Sequence, residues 1–272
     1  MLAAMRAPLN DQRHGCALKL HRPAKSGEVS KAPHAPVPPA NPPLLETGMA
    51  LAISYLSLGE AALSPAIPGR GGAHNHATRE SHALTASQIA NLRAATRHAA
   101  AIGLPFTRMI TIHWEAAGVA LEAMVAATGR FVDLLSKMLS RHGCRATWLW
   151  VHENGDNKGG HCHLLAHVPP ALVARLTRLQ RGWLRRITGR SYRARVICSR
   201  PIGGLLGIEM TNAPLHAANL EAALAYVLKG ACPAAAKIHH LERVEAGGRI
   251  IGKRCGTSQN IGVLARKLET TA

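Results

Sequence analysis

The chain has 272 residues, 47% of them hydrophobic, so it is long enough to bury a core in one or two domains. Its 33 Lys and Arg residues outnumber 15 Asp and Glu residues, and the net charge of +18 favours a polyanionic partner. No apolar run approaches the ~18 residues of a bilayer span, and the six cysteines form no C-x-x-C pair. These patterns argue against a membrane protein, a structural zinc site and a disulfide framework, and we expect a cytoplasmic protein.

Residues 1–82 form an N-terminal extension that we expect to be mostly disordered. Residues 23–43 are rich in Pro and Ala, and residues 68–82 are rich in Gly and His. Such compositions bury too little apolar surface to offset the entropy of ordering. The extension holds 8 basic and 5 acidic residues, whereas residues 83–272 hold 25 and 10. The excess positive charge therefore belongs to residues 83–272, which we expect to be the folded domain.

The first regular elements follow Leu84. Thr85 and Gln88 have the spacing of a capping box, and Gly103 is typical of a residue that ends a helix. These signals predict a helix between them. Residues 106–114 are apolar and β-branched, which predicts a strand of about nine residues.

A second helix and two strands come next. Apolar residues recur at spacings of three and four over residues 121–138, which predicts an amphipathic helix. The apolar runs at residues 146–153 and 161–168 predict two strands. The Asn-Gly and Gly-Gly pairs of residues 154–160 predict the turn between them, so the two strands should pair in antiparallel fashion.

Residues 169–189 predict a third helix, because proline occupies its first turn and its apolar stripe runs from Leu172 to Ile187. Ten Lys and Arg residues and no Asp or Glu occur over residues 157–208. This predicts a basic face on a folded domain, not a solvated tail. We expect nucleic-acid phosphates to be contacted by five residues of this helix, namely Arg175, Arg178, Arg181, Arg185 and Arg186.

The last elements complete a recognisable order. Residues 192–198 and 204–211 are strand-like, and residues 216–230 predict a helix that ends at a glycine. Counted from residue 106, the order is strand, helix, strand, strand, helix, strand and an added helix. We therefore predict an α+β fold of the ferredoxin-like βαββαβ type, with an antiparallel sheet and helices on one face.

The tail at residues 247–262 contains G-x-x-x-x-G-K, which is half of a phosphate-binding loop. The next residue is Arg254 instead of Ser or Thr, and no strand precedes the motif, so we reject nucleotide binding. We interpret the tail as a basic loop in which Lys253 and Arg254 contact the nucleic-acid backbone. The chain therefore contains no complete phosphate-binding loop.

Two histidines begin the second of the paired strands. His161 and His163 are two residues apart, so their side chains share one face, while Cys162 points to the other. The turn should bring the carboxylate of Glu153 beside His161. Two nitrogens and one oxygen suit Mg²⁺ or Mn²⁺, although the histidines alone would also accept zinc. His152 competes with Glu153 for the third position, and the alternative is that the histidines merely begin a buried strand.

The stretch GHCHLLAHVP resembles the His-hydrophobic-His motif of the HUH endonucleases, which include rolling-circle replication initiators, plasmid relaxases and related transposases. Upstream, FTRMITIHW resembles the first motif of this superfamily, with Arg108 and Met109 as departures. Downstream, YVLKG resembles the third motif, with Tyr226 and Lys229 in the tyrosine and lysine positions. The resemblance covers roughly residues 104–230 and is nearest to the single-tyrosine initiators, because no second tyrosine follows Tyr226.

The resemblance implies nicking and joining of single-stranded DNA at an origin or hairpin, to start rolling-circle replication of a plasmid or phage. Because the chain has no complete phosphate-binding loop, we expect a host helicase to unwind the DNA. Tyr226 would attack a phosphodiester and remain joined to the 5′-phosphate. His161, His163 and Glu153 would hold the divalent ion, and Lys229 would stabilise the phenolate or offset phosphate charge. The alternatives are a non-catalytic, basic ferredoxin-like module that binds nucleic acid, and a transposase or relaxase of the same superfamily.

Overall fold

The computed structural model describes residues 78–156, 158–202 and 212–270, which form an α+β fold. The strands are β1 (Glu80–Ser81), β2 (Arg108–His113), β3 (Trp148–Gly155), β4 (Gly159–Ala166), β5 (Ile197–Pro201), β6 (Ile250–Ile251) and β7 (Cys255–Thr257). The helices are α1 (Ala86–Ala101), α2 (Met124–Ser140), α3 (Pro170–Thr188), α4 (Ala213–Val227), α5 (Pro233–Ile238) and α6 (Val263–Thr270). Short 3₁₀ turns occupy Leu121–Ala123 and Gln259–Ile261. None of the described helices combines the length and the apolarity that a bilayer span requires.

The main sheet has five antiparallel strands in the order β5-β2-β4-β3-β7. The predicted hairpin is confirmed, because β3 pairs with β4 and places Glu153 directly opposite His161. On the other side of β4, β2 places Thr111 opposite His163 and His113 opposite His161. Strands β1 and β6 form a separate two-stranded ribbon.

Helices cover both faces of the main sheet, so the prediction of helices on one face is wrong. On one face, Ile110 and Leu164 pack with the apolar sides of α2 and α3. On the other face, Met109, Val151 and Leu165 pack with α1, α4 and α5. Strands β3 and β4 carry consecutive apolar residues instead of a strict alternation, so each face must be buried.

The predicted helix ends follow the local signals closely. The Thr85 side chain accepts a hydrogen bond from the Gln88 N–H, and the Gln88 side chain accepts one from the Thr85 N–H. This completes the predicted capping box. Gly103 and Gly189, just beyond α1 and α3, both have positive φ angles, which a glycine adopts without the steric cost of a Cβ atom.

Several element boundaries differ from prediction, and two predicted segments fall outside the described residues. The strand predicted at residues 192–198 begins only at Ile197, because a turn with Arg195 at a φ of 66° precedes it. Glu80 and Ser81, which were assigned to the N-terminal extension, form strand β1 and pair with β6. The strand predicted at residues 204–211 and the disorder predicted for residues 1–77 lie outside the described residues.

Two poorly solvated histidines should make the fold sensitive to acid. Burial lowers the pKa of His152 to about 3, and burial together with His161 and His163 lowers the pKa of His113 to about 4. Unfolding returns both groups to about 6.5, so the unfolded state binds more protons below that pH. We expect the free energy of unfolding to fall between pH 6.5 and pH 4.5, with a His152 contribution on the order of 3 kcal/mol.

Urea unfolding at several pH values over this range measures the effect. His152→Gln keeps a hydrogen-bonding amide but removes the titrating ring, and it should flatten the pH dependence. A wild-type stability that does not change between pH 7.5 and pH 4.5 would contradict this account.

Candidate metal-binding active site

Glu153, His161 and His163 form a buried cluster at the end of the β3–β4 hairpin, each exposed by 3% or less. One potential ligand atom from each residue lies within 4.8 Å of the others. The Nε2 atoms of His161 and His163 lie 3.3 Å and 3.4 Å from Oε2 of Glu153. The three side chains predicted to share a metal ion are therefore brought together, and this cluster can hold one.

Neighbouring groups orient both imidazole rings. Nδ1 of His161 lies 2.8 Å from the carbonyl oxygen of Gly159, which can only accept a hydrogen bond, so Nδ1 is the donor. Nδ1 of His163 lies 3.0 Å from the hydroxyl oxygen of Thr111, which can likewise accept a hydrogen bond from the ring N–H. Metal-binding histidines are commonly held by a hydrogen bond at the other ring nitrogen. Both Nε2 atoms then face Glu153 as potential ligands.

Two buried atoms of the cluster lack a hydrogen-bond partner: Nε2 of His163 and Oε1 of Glu153. A buried polar atom without a hydrogen-bond partner costs free energy. The two atoms therefore indicate a site for a further group that would interact with both. A divalent ion bound by two imidazole nitrogens and a carboxylate would satisfy both atoms. The donor set suits Mg²⁺ or Mn²⁺, and the two imidazoles also suit zinc.

The protonation states match those of metal ligands. Burial acts to raise the pKa of Glu153, but His161, His163 and Lys229 outweigh it and hold that pKa well below its ordinary value. Burial lowers the pKa of His163, although the carboxylate of Glu153 opposes the shift. An ionised carboxylate beside a neutral imidazole is the state in which both residues bind metal ions.

Lys229 is buried beside the cluster and forms ion pairs with two carboxylates. Its ammonium group contacts Oε2 of Glu153 and lies 3.0 Å from Oε2 of Glu245. The predicted site residue Lys229 is thus in contact with the cluster of potential metal ligands, through Glu153. Glu245 was not predicted, because it lies in a loop with no motif, 16 residues beyond Lys229 in the chain.

Tyr226 lies near the end of α4, and its partly exposed ring packs edge-on against His163, with ring centroids 5.1 Å apart. Two cations lie at the same ring: Nζ of Lys229 and Cζ of Arg243 are each 5.2 Å from its centroid. Arg243 also pairs with Glu245. The structure therefore brings Tyr226 to the cluster, as predicted, and adds Arg243, which the sequence analysis missed.

His113 is a further residue that the sequence analysis missed. Its ring stacks on that of His161 with the centroids 5.5 Å apart, because β2 places the two residues opposite each other. The signal available in the sequence was the alternation in β2, which puts Thr111 and His113 on one face. The register that brings this face to the β4 histidines was not available from the sequence.

His152 is not a candidate ligand. Its side chain points to the opposite face of β3, where Nε2 lies 2.8 Å from Oγ1 of Thr128 and Nδ1 lies 3.1 Å from the carbonyl oxygen of Lys253. The competition between His152 and Glu153 is therefore decided in favour of Glu153. Cys162 also points to that face, as predicted, and burial raises the pKa of its thiol.

The predicted phosphate-binding residues fall into two groups. The five arginines of α3 are all exposed, but α3 packs on the face of the sheet opposite to the metal cluster. Lys253 is exposed, whereas Arg254 is only 2% exposed and donates hydrogen bonds to Ser81, Gly247 and Gly248. The prediction that Arg254 contacts a nucleic-acid backbone is therefore wrong, because its guanidinium joins the tail to β1. Burial lowers the pKa of Arg254 to about 10.

Thr111→Val should weaken metal binding while preserving the shape of the site. The change removes the oxygen that contacts Nδ1 of His163, so the ring loses its fixed orientation, and we expect roughly 10- to 100-fold lower affinity. Titration calorimetry with Mn²⁺ measures this. Thr107→Val is the matched control, because Thr107 bonds to Val168 instead; it should lower stability but not affinity. Equal metal affinities for Thr111→Val and wild type would remove the proposed role of Thr111.

The site thus combines three chemical capabilities in one place. The buried cluster can bind a cation, the partly exposed side chain of Tyr226 packs against the cluster, and the cations of Lys229 and Arg243 lie at the Tyr226 ring. Cationic groups at the rim of a site favour an anionic ligand. Comparisons with protein-family models, with curated proteins and with solved structures found no match to this chain.

Proposed function

We propose that the protein is a metal-dependent endonuclease of the HUH type that nicks and joins single-stranded DNA through a tyrosine nucleophile. The observation that carries the proposal is the contact between the Tyr226 ring and His163 of the buried cluster. A tyrosine beside two strand histidines and a carboxylate is the combination that the sequence motifs imply. The strand order β5-β2-β4-β3, with α2 and α3 on one face, also supports a ferredoxin-like core to which α1, α4 and β7 are added.

The reaction would divide the work among the residues of the site. Glu153, His161 and His163 would hold the divalent ion, which when bound polarises the scissile phosphate and fixes its position. The hydroxyl oxygen of Tyr226 would attack the phosphorus atom and release its proton to solvent. The bond to the 3′ oxygen would break, and this oxygen would take up a proton to become a free 3′-hydroxyl. The reverse reaction would join the strands.

Lys229 and Arg243 would stabilise the negative charge that develops during the reaction. Both cations lie about as far from the Tyr226 ring as a favourable cation–π contact requires. They can stabilise negative charge on the phenolate oxygen and on the phosphate group that it attacks. Glu245 would hold both cations in position, since it pairs with each of them.

The proposed role is the initiation of rolling-circle replication of a plasmid or phage, with a host helicase as the unwinding partner. Tyr226 and Tyr192 are the tyrosines of the described residues, and Tyr192 packs with the core on the other face of the sheet. A single tyrosine at the cluster favours an initiator of the single-tyrosine kind. A relaxase or transposase would share the chemistry and differ in the DNA that it serves.

One observation favours a second candidate, a non-catalytic nucleic-acid-binding module. The ammonium group of Lys229 contacts Glu153 and offsets its charge. A carboxylate satisfied in this way can serve stability alone, and the histidines would then be structural residues. Binding of Mn²⁺ to the purified protein separates the two candidates, because the second one predicts none.

A pool of labelled single-stranded oligonucleotides tests the proposal most directly. The full chain is incubated with the pool and Mn²⁺, and covalent protein–DNA adducts are separated on a denaturing gel. We expect an adduct that carries the DNA through its 5′-phosphate. A metal-loaded protein that neither cleaves nor joins to any strand of the pool would refute the proposed activity.

A further inference from the structure

The layer formed by α2 and α3 carries a concentration of positive charge on the side of the sheet away from the metal cluster. Exposed basic residues of this layer come from α3 and from the chain that follows α2 and α3: Arg141, Arg145, Arg175, Arg178, Arg181, Arg185, Arg186 and Arg190. No Asp or Glu occurs over residues 157–208, and Asp133 of α2 is paired with Lys137 at 2.8 Å. On α3 and the chain around it the positive charge is therefore not offset by carboxylates, whereas on α2 Asp133 offsets Lys137.

The α3 arginines lie in two rows. Arg175 and Arg186 are eleven residues apart, close to three helical turns, so they lie on one line about 16 Å long. Arg178, Arg181 and Arg185 are spaced by three and four residues and form the second row. Like charges at such spacings repel each other. This cost is offset when an anion lies against the surface.

The first row borders a groove between α2 and α3 with a volume of about 340 Å³. The apolar floor of the groove is formed by Leu134, Met138, Leu179 and Trp183, and its rim by Lys137, Arg141, His142, Arg175 and Arg186. Beyond Arg186, a second depression of about 570 Å³ is lined by Arg185, Arg186 and Arg190 with small residues between them. The cationic surface is therefore continuous from the C-terminal end of α2 to the loop after α3.

The two aromatic residues nearest the α3 arginines, Trp183 and Tyr192, do not offer free ring faces to unpaired bases. Trp183 is only 7% exposed and packs edge-on against Phe131, and Arg181 lies over the ring of Tyr192 at 5.4 Å. Proteins that bind single strands combine basic grooves with exposed rings on which bases stack. A surface of guanidinium groups without such rings is suited to a backbone whose bases are turned inward, as in a duplex.

We propose that the α2–α3 surface is a second DNA site, which binds duplex DNA through its phosphates. The Glu153, His161 and His163 cluster would act on a single strand. Helix α3 has 19 residues and is about 28 Å long. Small residues, Ala171 and Gly182, lie between its two arginine rows, so the helix can approach a major groove about 12 Å wide with arginines toward both strands. The inference rests on the proposed function only in taking DNA as the substrate.

The separation of the two sites by the sheet has a consequence for the substrate. The sheet lies between the α2–α3 surface and the cluster. A DNA molecule that contacts both sites must therefore pass around an edge of the sheet. A duplex or hairpin stem with a single-stranded extension has this form. The duplex site would then select the locus, and the cluster would act on the strand that extends from it.

Fluorescence anisotropy with the full chain tests the duplex site. A duplex of about 30 base pairs is compared with a single strand of the same length at several salt concentrations. The test variant is Arg178→Gln with Arg185→Gln and Arg186→Gln. The control variant removes the same charge from α1, α5 and α6 on the other side of the sheet, through Arg97→Gln, Lys237→Gln and Lys267→Gln.

We expect the test variant to lose at least about tenfold in duplex affinity, with the slope of log affinity against log salt reduced by about 2.7, which corresponds to three phosphates. Its preference for duplex over single strand should fall, whereas the control variant should keep the wild-type preference. Equal losses in the two variants, equal losses for the two DNA forms, or no duplex binding by the wild type would overturn the inference. The last result would point to an acidic protein partner.

The variant His161→Ala separates this inference from the proposed function. It should lose metal-dependent cleavage and still bind the duplex as the wild type does. If the wild type forms no adduct while the arginine variant loses duplex binding, the proposed activity fails and the duplex site stands. If adducts form and the arginine variant binds the duplex normally, the reverse holds.

Discussion

Replacing Tyr226 with phenylalanine should eliminate both the cleavage of single-stranded DNA and the covalent protein–DNA adduct. The change removes one oxygen atom and keeps the ring that packs against His163 and Arg243. Folding and DNA binding should therefore remain close to those of the wild type. Because the proposed nucleophile is lost, we expect the cleavage rate to fall on the order of 10⁴-fold or more.

Tyr192→Phe is the matched control for this experiment. Tyr192 packs with the core of the α2–α3 layer, on the other side of the sheet from the cluster. Its replacement should leave cleavage and adduct formation unchanged. Mass spectrometry of a protease digest should locate the 5′-phosphotyrosine in the peptide that contains Tyr226. Cleavage that persists in Tyr226→Phe without an adduct would indicate a metal nuclease that uses water instead.

Replacing His161 or His163 with alanine should abolish metal binding and cleavage. Each change removes one of the two imidazole nitrogens that face Glu153. We expect the affinity for Mn²⁺ to fall by more than about 100-fold, because a lost ligand costs more than a lost partner of a ligand. Calorimetric titration measures the affinity, and Mg²⁺ and zinc are titrated alongside to establish which ion the site prefers.

Thermal unfolding gives a second measurement that does not depend on activity. An ion present at 100 times its dissociation constant stabilises the native state by about 2.7 kcal/mol. The wild type should therefore melt at a higher temperature with the ion than without it, whereas the two variants should not respond. His142→Ala removes an exposed histidine remote from the cluster and should respond as the wild type does. Unchanged metal binding in His161→Ala would show that the cluster is structural.

Local patterns account for much of the site. The two-residue period of a strand puts His161 and His163 on one face, and it also separates Glu153 from His152. The turn signals at residues 154–160 predict the hairpin that sets Glu153 opposite His161. These inferences succeed because every step spans fewer than about ten residues. The capping box of Thr85 and the helix end at Gly189 succeed for the same reason.

The sequence by itself thus determined which face of its own strand or helix each residue occupies. Only the tertiary structure decided which faces meet: Thr111 and Tyr226 lie 52 and 63 residues from His163 in the chain, yet both contact it. It also buried Arg254 and turned the α3 arginines away from the cluster. The physical reason is that each face of the sheet must be covered by apolar helix surface. The packing of the whole domain decides which helix covers which face of the sheet. The periodicity of a single strand or helix does not predict this arrangement.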